Sequence, residues 1–166
     1  MDLVTGAEVA VALTVPVDRH HLWDLVTAIE RIGEWSPETT GARWCDPATG
    51  PAEFARFVGH NRFPSGREST VTCVVTEAER PSTFAWHVLD PDGEVGSIWR
   101  YDLRDTDDRG ATAVRHTFTH GPGTTGLRTS AGQDPRSIDD RLVSLCRIMT
   151  TTIVAMATDR TRGARR

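Results

Sequence analysis

Between residues 42 and 120 no connection is long enough to carry the chain across a sheet and back. Strand-like runs cover 42–45, 53–62, 67–79, 82–89, 95–105 and 111–120, separated by DPATGP, PSG, ERP, DPDG and DTDDRG. A parallel crossover takes a dozen or more residues, so consecutive runs must pair antiparallel. Gly, Pro and Asp at these points supply the turn geometry that hairpins use. A sheet built from sequence neighbours is therefore the main constraint on the fold.

The segments flanking these runs complete the expectation. Residues 7–15, AEVAVALTV, place Val9, Val11, Leu13 and Val15 on one side and Glu8 and Thr14 on the other, the pattern of a half-buried strand. Pro16 ends it, and Asp18 is placed to cap a helix carrying Leu22, Leu25, Val26 and Ile29 on one stripe. Gly33 breaks that pattern, so one or two short helices are expected over 18–35, with EWSP leading into a loop. Residues 121–136 read as loop. From Ser137 to about Arg160, Ile138, Leu142, Leu145, Met149, Thr152 and Met156 recur every three or four positions, which predicts a long amphipathic helix. Pro135 and Ser137 mark its start. Asp139 and Asp140 suit its positive end, and Arg160 and Arg162 its negative end.

The fold expected is α+β: a curved antiparallel sheet of about seven strands wrapped around the long C-terminal helix, one domain over residues 1–166. Such a sheet must cover its apolar face, and the helix is the cover. No internal repeat is present.

Composition removes several chemistries. All 19 basic residues are Arg. Without Lys there is no Schiff-base lysine, no P-loop lysine and no kinase-type phosphate lysine. A net charge of −4 and a pI near 5.8 argue against a nucleic-acid binder. The cluster Arg160, Arg162, Arg165 and Arg166 reads as a solvated tail. Cys45, Cys73 and Cys146 lack C-x-x-C spacing and read as small buried residues in a reducing compartment. No membrane-length apolar stretch occurs, and the first residues lack signal-peptide character, so a cytoplasmic chain is expected. No G-x-S-x-G, H-E-x-x-H or metal-ligand cluster is present; neither metal nor cofactor is expected.

HGPGTTG, His120 to Gly126, matches the spacing of a dinucleotide loop, and His116 lies just upstream. A dinucleotide site needs a parallel strand and a helix starting at the glycines, and Pro122 removes a phosphate-cradling N–H. Here the strand is antiparallel, and the helix is expected only at about Ser137. His116 and His120 stand about 13 Å apart along an extended strand, too far for one metal. The stretch reads instead as a flexible hinge beside the space under the helix, where it can gate a ligand.

The order of elements, together with IERIGEWSPETTGARW, FVGHNR, TVTCVVTEAERPSTFAWHV, SIWRYDL and HGPGTTGLR, resembles the START/Bet v 1-like superfamily and its bacterial polyketide cyclase/dehydrase-like branch. The resemblance spans nearly the whole chain. It implies the helix-grip fold and a hydrophobic cavity between sheet and helix. It does not imply one reaction: members include aromatase/cyclases and carriers of lipids or steroids. The ligand implied is polyketide-, aromatic- or lipid-like. The protein then acts either as a binder or carrier, or as a cyclase catalysing intramolecular aldol condensation and dehydration. A monomer or homodimer is expected.

Strand alternation then selects residues for the cavity. Trp99, Tyr101 and Leu103 share a face, as do Val114, His116, Phe118 and His120, then Phe84, Trp86 and Val88, and finally Phe57, Gly59 and Asn61. Trp35 and Trp44 fall near the cavity mouth that this fold implies, and Met149 and Met156 project from the helix. His116 is either a hydrogen-bond partner or acid/base for the ligand, or a satisfied core histidine. Tyr101 is the second candidate catalytic group. Trp35, Trp44, Phe57, Asn61, Trp86, Trp99, Phe118, Met149 and Met156 are the candidate ligand contacts. An inward Arg among Arg56, Arg62 and Arg67 can hold a carboxylate or enolate. No inward carboxylate is identifiable.

Overall fold

The computed structural model describes residues 1–159. The tail cluster and the last expected helical residue, Arg160, lie outside them. Seven strands form one antiparallel sheet: β1 (Glu8–Val15), β2 (Thr39–Trp44), β3 (Arg56–Arg62), β4 (Glu68–Glu79), β5 (Thr83–Leu89), β6 (Val95–Asp105) and β7 (Thr112–His120). Their spatial order is β1-β7-β6-β5-β4-β3-β2. The expected meander from β2 to β7 is present, and the first strand closes against the last, Val11 opposite His116. Register shifts at Thr39/Gly41, Val75/Glu77 and Val88/Leu89 break the strict alternation. Such bulges bend strands, which suits a sheet that must wrap a helix.

The helices follow their sequence signals. In α1 (Arg19–Thr27) the Asp18 carboxylate accepts the His21 backbone N–H at 3.0 Å, the cap expected of it. Leu22, Trp23, Leu25 and Val26 of α1 are buried, and Trp23 meets Phe84 of β5 edge-on at 6.2 Å. A 3₁₀ helix, Ile29–Glu34, follows. The long helix is α3 (Arg136–Ala157), with Ile138, Leu145, Met149, Thr152, Ile153 and Met156 buried. Its far end is tied back to the 3₁₀ helix, where Arg31 pairs with Asp159 at 2.5 Å.

Two expectations are corrected. Residues 121–136 are not all loop: α2 (Gly126–Gln133) begins at the third glycine of HGPGTTG, capped by the Thr125 hydroxyl on the Arg128 N–H at 3.1 Å. The polar sequence LRTSAGQ has no apolar stripe to signal a helix, and no residue of α2 is buried. Nor do the glycines form a loose hinge. A Cβ on Gly121 would stand 2.1 Å from the Val95 carbonyl oxygen, and one on Gly123 would stand 2.9 Å from it. Both glycines are there because β6 passes too close for a side chain. The Gly121 N–H donates to the Gly96 carbonyl at 2.9 Å and the Gly123 N–H to Val95 at 2.8 Å, so the corner is laced to the sheet.

Candidate functional site

The inward positions of β2, β3, β5, β6 and β7 carry an aromatic belt that passes over β4. Trp44 meets Phe57 edge-on at 5.4 Å, Phe57 meets Trp86 at 6.1 Å, and Trp86 stacks on Trp99 at 6.1 Å with planes only 5° apart. Trp99 continues to His116 at 5.5 Å and to Phe118 at 5.0 Å. Tyr101 and His116 lie nearly face to face, with ring centroids 3.7 Å apart. The structure thus brings Trp44, Phe57, Trp86, Trp99, Tyr101, His116 and Phe118 together, as alternation on adjacent strands requires.

The belt is unevenly covered. Phe84, Tyr101, Leu103 and Val114 are closed over by α1 and α3, and so is His116. Trp44, Trp86 and Trp99 are only half-buried although all three face inward, as are Val71 and Val88. Met149 and Met156 of α3 are fully buried in the same core. Openings in the surface of about 450 and 480 Å³ also exist, lined by residues outside the belt.

Burial sets the chemistry of the two candidate catalytic groups. His116 is 3% exposed and its Nδ1 has no hydrogen-bond partner among the described residues. Removal from water pushes its pKa down to about 3, the nearby Arg100 carbonyl opposing only part of the effect. The imidazole is neutral at pH 7. Burial also pushes the Tyr101 phenol well above its ordinary range, so it stays protonated. Together they form a neutral polar spot in aromatic walls. An unpaired buried nitrogen costs about 1–3 kcal/mol, and a ligand hydroxyl could remove that penalty.

The remaining sequence candidates take other roles. Asn61 is committed to the sheet: its Oδ1 accepts from the Thr39 hydroxyl at 2.9 Å and its Nδ2 donates to Ser69 at 3.3 Å. Trp35 is buried at the end of the 3₁₀ helix, under the Arg31 guanidinium at 4.7 Å. Of the cysteines, Cys73 is buried and Cys45 partly so, but Cys146 is exposed on α3, contrary to expectation. No metal-ligating cluster occurs among the described residues.

Sequence reasoning missed two groups. One is a buried carboxylate: Glu38, ahead of β2, is 8% exposed and bidentate to Arg141 of α3, at 2.6 and 2.9 Å. Glu38 sits in a loop, where periodicity says nothing; Arg141 flanks the stripe of Ile138 and Leu142, the available clue. The other is the bonding of His120, a residue already placed on the inner face: its Nε2 meets the Thr125 hydroxyl at 2.6 Å and its Nδ1 meets the Gly121 carbonyl at 2.7 Å. Since that carbonyl only accepts, Nδ1 carries the proton.

A curved seven-stranded sheet gripping one long helix, with an aromatic inner face, defines the helix-grip class. The chain belongs to the family described as polyketide cyclase/dehydrase and lipid transport, whose model matches residues 6–140. No curated protein matches the sequence. Among solved structures, the polyketide cyclase-like protein Cgl2372 of Corynebacterium glutamicum superposes with a TM-score of 0.63 at 24% identity, over 93% of this chain and 91% of its own. The di-domain aromatase/cyclase BexL, from the BE-7585A biosynthetic pathway, gives 0.65 at 13% identity, covering 93% of this chain and 51% of its own. Ara h 8.0201 gives 0.56 at 12% identity, over 90% and 94%. At these identities the likeness establishes the fold. No helix among the described residues is long and apolar enough to cross a membrane.

Proposed function

We propose that the protein binds a neutral, apolar molecule carrying an aromatic or polyketide-like ring system, seated against Trp86 and Trp99 and hydrogen-bonded to His116. The observation that carries this reading is the unpartnered His116 Nδ1 within the aromatic belt. Flat ring surfaces stack on half-buried indoles, and the neutral imidazole meets one polar substituent. Carriage or sequestration follows from binding alone. The family and the fold of BexL make cyclisation the second reading, with the walls holding a poly-β-ketone in a reactive fold. The pKa of about 3 favours the first: so weak a base is poorly matched to proton abstraction near neutral pH.

The test compares 2-naphthol with naphthalene, following quenching of tryptophan emission. Naphthol is expected to bind about tenfold tighter, the worth of one hydrogen bond, and His116→Phe is expected to erase that difference. Equal binding of the two compounds by the native protein, or an unchanged preference in the variant, refutes the reading. For cyclisation the decisive measurement is turnover of a poly-β-ketone by native protein and by His116→Gln. Native mass spectrometry of purified protein would identify any ligand carried along.

A further inference from the structure

Between α3 and the β2–β3 side of the sheet runs a groove of about 450 Å³, separate from the aromatic belt. Its apolar walls include Pro37, Phe63, Pro64 and Ile148, and Arg62 and Arg147 also line it. Glu38 is the one acidic residue in its lining, and both carboxylate oxygens are taken by Arg141. Arg62 and Arg147 form no ion pair among the described residues; Glu68, opposite Arg62 in the β3–β4 register, is not within pairing distance. Phe63 is flanked by two further guanidinium groups, Arg67 at 4.8 Å and Arg141 at 5.7 Å. In a chain of net charge −4, four arginines therefore gather around one groove whose acid is already neutralised.

We propose that this groove is a second binding site, taking an amphipathic organic anion. The carboxylate or phosphate head lies between Arg62 and Arg147, and the apolar chain runs along Phe63, Pro64 and Ile148. Guanidinium groups offer planar paired donors to such heads, and charge-assisted hydrogen bonds are about twice as strong as neutral ones. Arg141 cannot serve as the primary anchor, because a ligand would first have to displace the bidentate Glu38. The proposal is independent of the ligand in the aromatic belt, and a neutral molecule has no reason to prefer this groove.

Calorimetry with decanoate, decyl phosphate and decanol, each below its micellar concentration and at low salt, tests the proposal. Both anions are expected to bind at least tenfold tighter than decanol and to shift the Ile148 methyl resonance. Whichever anion binds tighter identifies the head group. The double variant R62Q/R147Q, altered at exposed positions, is expected to keep the native melting temperature and lose the preference. Equal binding of decanoate and decanol overturns the proposal, as does a preference that survives in the variant. Shifts confined to the Met149 and Met156 methyls also overturn it, because they would place the ligand under α3 and leave the belt reading standing.

Discussion

The two halves of the inner sheet face share strands, alternation and residue types, yet only one is sealed throughout. Where Phe84, Tyr101, Leu103 and Val114 lie, α1 and the C-terminal half of α3 leave them 4% exposed or less. Toward the ends of the same strands, Trp86, Val88 and Trp99 remain half-buried, although Phe57 and Phe118 beside them are buried. Alternation decides which side chains point inward. Which of them are sealed is decided by the helices that arrive. The Trp86–Trp99 stack marks the boundary, and His116 lies just inside the sealed half.

Substitutions on either side should expose this difference. Phe84→Ala, in the sealed half, is expected to cost about 3–5 kcal/mol by leaving a cavity that α1 cannot fill; urea unfolding measures it. Trp99→Leu should cost much less, because one side of the indole is already open, and should instead weaken naphthol binding. Equal destabilisation by the two would mean that the open half is as tightly packed as the sealed one. Gly121→Ala is expected to cost about 3 kcal/mol through overpacking against the β6 backbone. Gly126→Ala meets only the movable end of the Arg67 side chain and should be nearly neutral. Glu38→Gln should cost about 2–3 kcal/mol by unpairing a largely buried Arg141, less than a fully buried pair because that arginine keeps 26% of its side chain exposed.

Acidity gives a smaller effect than Phe84→Ala and the most specific. The folded-state pKa of His116 lies below its ordinary 6.5, so the unfolded chain takes up the proton first. Its contribution to stability is fully present above pH 6.5 and declines as the pH falls toward about 3. Between pH 6.5 and 5 the loss should reach about 2 kcal/mol. His116→Gln should flatten most of that slope in urea titrations across this range. A residual slope is expected from His120, which burial also depresses.

The fold was largely legible because its signals are local. Short turns force antiparallel pairing, period-two runs place Trp99, Tyr101 and His116 on one face, and the stripe from Ile138 to Met156 defines the covering helix. What stayed hidden depends on contacts distant in sequence. The Glu38–Arg141 pair spans 103 positions, and the close approach of Val95 to Gly121 exists only once β6 and β7 are side by side. Helix α2 escaped because its stability rests on a cap and on neighbouring structure, with no apolar stripe of its own. Asn61 shows the opposite failure, since alternation put it on the face of Phe57 while its amide oxygen and nitrogen each bond within the sheet, to Thr39 and Ser69.

The corner built on His120 carries a kinetic consequence. Arg128 of α2 donates to the Gly121 carbonyl at 2.9 Å and the Gly123 carbonyl at 3.0 Å, and also reaches Asp2 and Thr5 near the start of the chain. Three segments are thereby joined in one knot, and no part can let go without stranding the others' donors. In hydrogen-exchange terms the corner should behave as one cooperative opening unit. The Arg128 and Gly121 amides would then exchange at a common rate, and removing residues 1–5 would speed both. The first few residues of the chain would thus govern how often α2 lifts from the Gly121–Gly123 corner.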